Sequence, residues 1–392
     1  MISQIAFSFR SGRGAAAAAR RSGERARPGC WRGRLADDSD ALGETPRVAC
    51  GTQALPGPLR FLGLLFVVAV ASALPPPIDP PESAAILRIA GNAELRPLLD
   101  RWQAAFQKTH PSVRFEVPLA GSDVAMAALT TRRADVALLG REATAPEVKA
   151  FEWIYRYRPA PIEIATGSLG VPGRSPALVV FVHRDNPLAQ LTLAQLDAAF
   201  GNERLRGASV AIRTWGALGL SGEWRDRPIH LYAPDTEEGT GRFFRSAVLN
   251  DSRLLAWENL REFSDAKTNA KTSATTHDAA EKILAALAAD PLGLAVAGAA
   301  PNDPRVKSLA LAASAAGPFI AATREHIITR DYPLARPIFA AVNRPPGRPL
   351  DPKVRDFLRY ILSPAGQREI EREGGYLPLS AALLREQLKK LD

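Results

Sequence analysis

Ala233-Pro234-Asp235-Thr236-Glu237-Glu238-Gly239-Thr240-Gly241-Arg242-Phe243-Phe244 joins a short strand, Ile229-His230-Leu231-Tyr232, to an apolar run with helical spacing that begins at Phe243. A strand, a polar turn with two glycines and a helix form the unit from which α/β sheets are built. The glycines let backbone N–H groups approach a ligand closely. Beside them stand a threonine hydroxyl, an arginine and a helix N-terminus, which together are the parts of an oxyanion cradle.

The same unit recurs upstream. Ala85-Ile86-Leu87-Arg88-Ile89-Ala90 reads as a strand ending in Gly91-Asn92-Ala93, and residues 94–106 place Leu95, Leu98, Leu99, Trp102 and Phe106 at helical spacing. Val113-Arg114-Phe115-Glu116-Val117 leads through Gly121-Ser122-Asp123 into a helix over 124–131. Asp135-Val136-Ala137-Leu138-Leu139 is an apolar strand ending at Gly140-Arg141-Glu142. Three strand ends thus carry polar turns to one edge of a sheet, where open α/β sheets bind ligands. Further along, 162–165 and 177–182 read as strands, 191–200 as an amphipathic helix, 240–249 and 276–287 as helices, and 291–297 as a buried strand, while 254–274 is ambiguous. The prolines of 332–342 assign that apolar stretch to a sheet edge or a hinge. Helices over 353–362 and from 365 to 373 follow, and Gly374-Gly375-Tyr376-Leu377-Pro378-Leu379 closes the chain as a turn.

Composition excludes several function classes. The 392 residues carry a formal charge of +9, but ten arginines against five acids before residue 74 account for +5 of it. The remaining +4 forms no basic stripe interleaved with aromatics, so a nucleic-acid groove is not expected. Both cysteines, Cys30 and Cys50, precede residue 51, and the five histidines show no metal-ligand spacing, so neither metal nor cofactor is expected. A nucleophile elbow and a P-loop are both missing from the sequence, which argues against an enzyme.

Residues 1–54, rich in Arg, Ala and Gly, are expected to be disordered, with translation starting later than Met1. Over 55–73 a basic flank, the apolar run from Phe61 to Val70 and Ala71-Ser72-Ala73 have the pattern of a secretory signal peptide, followed by a Pro-rich linker over 74–83. An uncleaved membrane anchor is the alternative.

In order and wording these pieces resemble the phosphate-binding proteins of ABC importers, in the type II periplasmic binding-protein superfamily, over roughly residues 86–379. The anchors are Gly121-Ser122, residues 135–141, Asp185-Asn186-Pro187 before Leu191-Thr192, Gly239-Thr240, Pro291-Leu292-Gly293, Tyr332-Pro333-Leu334 and Ser363-Pro364-Ala365-Gly366-Gln367 with Gly375-Tyr376-Leu377-Pro378. The resemblance implies an α/β protein of two lobes joined by two hinge strands. Lobe 1 takes residues 84–178 and 337–392, lobe 2 takes 179–336, and the hinge pair is 179–182 with 337–342. It also implies a monomeric periplasmic binding protein that closes on inorganic phosphate or a similar oxyanion and partners the membrane subunits of an ABC transporter.

Carried over position by position, the ligand set is Asn92, Ala93, Ser122, Gly140, Arg141, Glu238, Gly239 and Thr240. Only Ser122 and Gly239-Thr240 match the family cleanly. Where the family loop reads Arg-x-Asp-x-Ser-Gly-Thr, this chain has Pro234, Thr236 and Glu238 before Gly239-Thr240. Arg141 and Arg242 are candidates to replace the missing guanidinium, and Glu238 to accept a hydrogen bond from a protonated ligand oxygen. Thr240, Ser122 and Asn92 each have a second reading as helix caps, and Glu238 as a carboxylate favoured by a helix dipole. A family member that has lost phosphate and binds another solute or a protein is the alternative function. N-terminal sequencing of the exported protein is expected to begin near Leu74, and recovery of Met1 overturns the cleaved signal peptide.

Overall fold

The computed structural model describes residues 86–265, 279–299 and 303–392. The expected disordered segment, signal peptide and linker before residue 84 lie outside the described residues, as does part of the ambiguous 254–274. Two five-stranded sheets organise the rest. The chain first lays down β1 (Ile86–Gly91), α1 (Arg96–Gln107), β2 (Arg114–Glu116), α2 (Ser122–Thr130), β3 (Val136–Leu139), α3 (Ala145–Tyr155) and β4 (Ala160–Thr166). It then builds β5 (Leu178–His183), β6 (Gln190–Thr192), α4 (Leu193–Phe200), β7 (His230–Pro234), α5 (Gly239–Leu249), β8 (Leu260–Phe263), α6 (Ala279–Ala288), β9 (Gly293–Gly298), β10 (Val306–Ser308), β11 (Ala310–Ala312) and α7 (Arg324–Thr329). It returns as β12 (Pro337–Val342) and finishes with α8 (Pro352–Ile361), α9 (Pro364–Glu373) and α10 (Ala381–Lys389).

The first sheet has the order β2-β1-β3-β12-β4 and the second β10-β5-β9-β7-β8, while β6 and β11 form a small parallel pair. Alternation along the strands divides each core in two. Val136, Leu138, Ile338 and Ala340 face α1, α8 and α9, whereas Ala137, Leu139, Phe339 and Ala341 face Met126 of α2 and Phe151 of α3. In the second sheet Val180, Leu231 and Val296 pack on α4 and α5, and Val179, Phe181 and Ala295 on Ile283 and Leu287 of α6. Cover on both faces is why these strands read as continuous apolar runs rather than alternating ones.

β12 is not at an edge. It pairs antiparallel with both β3 and β4. Its Pro337 is tolerated because it is the first residue of the strand, where the missing N–H interrupts little of the ladder. The expected hinge pair is also corrected, since 179–182 belong to β5 and 337–342 to β12, in different sheets. The chain crosses between sheets at 167–177 and at 334–336, and these two crossings run side by side. Gly167 N–H donates to Arg336 O at 2.7 Å and Leu178 N–H to Leu334 O at 3.1 Å. A side chain at 167 would press on Arg336 Cβ at 2.9 Å, so glycine there sets how closely the crossings approach.

The C-terminal segment packs back onto the first sheet. Trp102 of α1 donates its indole N–H to Gly366 O at 2.9 Å, and Phe106 meets Phe357 edge-on at 5.2 Å. Three helices were not expected from the sequence although their caps are legible. α3 begins with a Thr144–Glu147 capping box, Thr323 caps α7 by accepting His326 N–H at 3.2 Å, and Ser380, directly after the segment read as the closing turn, caps α10 through Leu383 N–H at 3.3 Å. Among the described residues no helix is long and apolar enough to cross a membrane.

Buried Gln367 ties α9 to this sheet. It donates to Ile164 O at 3.1 Å and Ile361 O at 3.0 Å and accepts Leu379 N–H at 2.9 Å. Gln367→Leu strands three backbone groups, so urea unfolding is expected to show a loss of about 2–4 kcal/mol. An unchanged midpoint refutes the tie.

Candidate functional site

Four strand ends and the two crossings meet at one place. After β1, Asn92 N–H donates to Leu138 O at 3.1 Å, which locks this turn to the end of β3. The Asn92 side chain caps a short 3-10 turn, Ala93–Leu95, by accepting Glu94 N–H at 3.2 Å. Its amide donates to the Glu94 carboxylate at 3.1 Å and the Ser175 hydroxyl at 3.2 Å, and Ser175 donates to Glu94 at 2.6 Å. The exposed methyl of Ala93 brings no polar group.

Ser122 opens α2 directly after Gly121, whose φ of 118° is a conformation that favours glycine. The Ser122 hydroxyl accepts Gly140 N–H at 3.2 Å, so α2 is fastened to the same strand end. A Cβ at 140 would strike the Ser175 hydroxyl and come within 2.9 Å of the Asn92 amide, so the convergence requires glycine there.

From the second sheet, β7 turns at 235–238 into α5, whose first residues are Gly239 and Thr240. Glu238 is the N-cap residue by backbone position but makes no side-chain cap; its carboxylate accepts Asp265 N–H at 3.0 Å. Glu238, Thr240 and Asp265 line a cavity of about 160 Å³ with Glu94, Arg174 and Pro234.

Arg336, in the second crossing, joins the two halves of this arrangement. Its Nε donates to Gly140 O, its Nη1 to the Thr240 hydroxyl at 3.3 Å and its Nη2 to Gly239 O at 3.2 Å. The guanidinium also lies 5.2 Å from the centre of the Phe243 ring. Burial lowers its pKa to about 10, against the opposing charge of Glu94, so it remains a cation at neutral pH.

Arg141 is placed differently from expectation. Its guanidinium forms a two-point pair with Glu147 at 2.8 and 2.9 Å, a further pair with Asp123 and a bond to Glu142 O at 2.8 Å. It is used up by protein carboxylates and stands on the α3 side of the junction. Arg242 of α5 likewise pairs with Asp123 at 2.6 Å. Partial burial pushes the Asp123 carboxyl up, but the hydrogen bonds and charges of Arg141 and Arg242 together hold it below the ordinary range.

The sequence-derived residues therefore divide. Asn92, Ser122, Gly140, Gly239 and Thr240 converge, Glu238 borders the adjoining cavity, Ala93 sits at the rim, and Arg141 serves the framework. Glu94, Ser175, Asp123 and Arg336 were missed. Only Arg336 carried a readable signal, as a lone charge within the apolar stretch 332–342. The others depend on partners up to 119 positions away.

The profile of the PBP superfamily domain matches residues 79–365. The chain belongs to the PBP superfamily. It is 29% identical over 325 residues to the phosphate-binding protein PstS of Pseudomonas aeruginosa, covering 83% of this chain and 93% of that protein. Protein SphX of Synechococcus elongatus is 25% identical over 326 residues, covering 82% and 86%. The crystal structure of PstS from Borrelia burgdorferi superposes with a TM-score of 0.53 at 15% identity, over 76% of this chain and 100% of that one, a likeness of fold.

Removing the Arg141 guanidinium strands Glu147, whose side chain is 16% exposed, more than Asp123, which water screens at 58%. Arg141→Met is accordingly expected to lower stability in urea by about 2–4 kcal/mol. Wild-type stability in that variant returns Arg141 to the ligand set that the sequence suggests.

Proposed function

We propose that this protein is an exported solute-binding protein that holds inorganic phosphate or a related oxyanion between two lobes and delivers it to the membrane subunits of an ABC importer. One observation carries the reading: the first turns of α2 and α5, from different sheets, meet at the chain crossings around a buried guanidinium. Helix N-termini present free N–H groups and the positive end of a dipole, so two of them beside a cation favour an anion. The similarity to the phosphate-binding protein PstS of Pseudomonas aeruginosa supports phosphate as the anion.

In this reading Asn92, Ser122, Gly140, Gly239 and Thr240 surround the ligand. Ala93 contributes backbone only, and Glu238 accepts a hydrogen bond from a protonated ligand oxygen at the adjoining cavity. Residues 84–178 and 337–392 form lobe 1 and 179–336 lobe 2, which close by rotation about the crossings at 167–177 and 334–336. The segment 55–73 directs export, the protein acts as a monomer, and it performs no catalysis.

Equilibrium binding of labelled phosphate is expected to saturate well below millimolar concentration. Thr240→Val is expected to weaken it about ten- to a hundredfold, the effect of one charge-assisted hydrogen bond. No binding at millimolar phosphate rejects the reading in favour of a member that binds another solute or a protein.

A further inference from the structure

Among the described residues three arginines are buried: Arg141 at 4% exposure, Arg245 at 8% and Arg336 at 2%. Arg141 is matched by Glu147 and Asp123, and Arg245 lies 3.4 Å from Glu237. Arg336, the most buried, has no carboxylate within 4.0 Å among the described residues. Buried charges are ordinarily paired. The neighbouring Glu94 acts on it only through its charge, from beyond 4.0 Å, and directs its hydrogen bonds to Ser175 and Asn92 instead.

A guanidinium offers five N–H groups. Gly140 O takes the one on Nε, Thr240 one on Nη1 and Gly239 O one on Nη2. One N–H on each terminal nitrogen is left without a partner among the described residues. The side chain is not free to swing away. Gly167 grips its backbone carbonyl, and Phe243 lies against its guanidinium. At Gly239 the nearest atom to an added Cβ is Arg336 Nη2 at 3.9 Å, so the start of α5 stands beside this group without crowding it.

We propose that Arg336, delivered by the second crossing between the sheets, is the cation that neutralises the bound oxyanion, through the remaining N–H on each terminal nitrogen. The inference rests on the reading above that an oxyanion binds at this junction. Such an anion completes the donor set of the guanidinium without displacing its three existing bonds. It also ties the ligand to the crossing itself, because the same side chain already touches Gly140 on the first sheet and Gly239 and Thr240 on the second.

The test is calorimetric titration of inorganic phosphate into the purified wild-type protein, Arg336→Met and Arg336→Lys, with thermal melting of each at zero and saturating phosphate. Wild type is expected to bind. Arg336→Met is expected to lose at least a hundredfold in affinity together with the phosphate-induced rise in melting temperature. Arg336→Lys, a point charge without the fork, should fall between them and keeps the test open if the methionine variant does not fold. If wild type binds no phosphate, the underlying reading fails. If wild type binds and a folded variant matches its affinity and its phosphate-induced shift, Arg336 is only a strut between the sheets and the proposal is overturned.

Discussion

Burying a guanidinium where a chain changes sheets constrains everything around it. The three hydrogen bonds of Arg336 run to Gly140 on one side and to Gly239 and Thr240 on the other, so both strand-to-helix turns must approach it closely. That closeness explains the glycines at 140 and 167, where a Cβ has no room. It also explains why β12 begins immediately after Arg336, since the fixed φ of Pro337 directs the chain from the crossing into the ladder.

Much of the architecture is legible in the sequence because it rests on local periodicity. Leu98, Leu99, Trp102 and Phe106 announce α1, and the apolar runs at 136–139 and 178–182 announce strands covered on both faces. The position of β12 is not legible, because being between β3 and β4 depends on pairings between residues 171 to 206 positions apart. The site follows the same division. Ser122, Gly239 and Thr240 show themselves by their place at helix starts. Arg141 misleads, since a sequence shows a charge but not that Glu147 and Asp123 have claimed it. Pro234, standing where the resembling loops carry arginine, leaves a missing cation in the sequence, and only the fold shows that a distant arginine lies beside that loop's helix.

The two halves touch through contacts of different character. At the crossings the link is dry, as Arg336 is nearly inaccessible. At the rim Asp123, more than half exposed, joins Arg141 of the first half to Arg242 of the second. Salt screens the exposed pairs and leaves the buried hydrogen bonds of Arg336 largely untouched. Ionic strength therefore acts on the rim of the junction and hardly on its buried centre.

The order of the strands also fixes a sequence of events. All five strands of the second sheet lie between residues 178 and 308, in one uninterrupted stretch. The first sheet lacks its fourth strand until residues 337–342 arrive, and part of its helical cover on the face shared with α1 waits for α8 and α9. A chain emerging from its N-terminus can therefore complete the second sheet while the first is still open along β3 and β4. The earliest-made strands are among the last to be enclosed, and the loop that must close to enclose them is long, which slows that step.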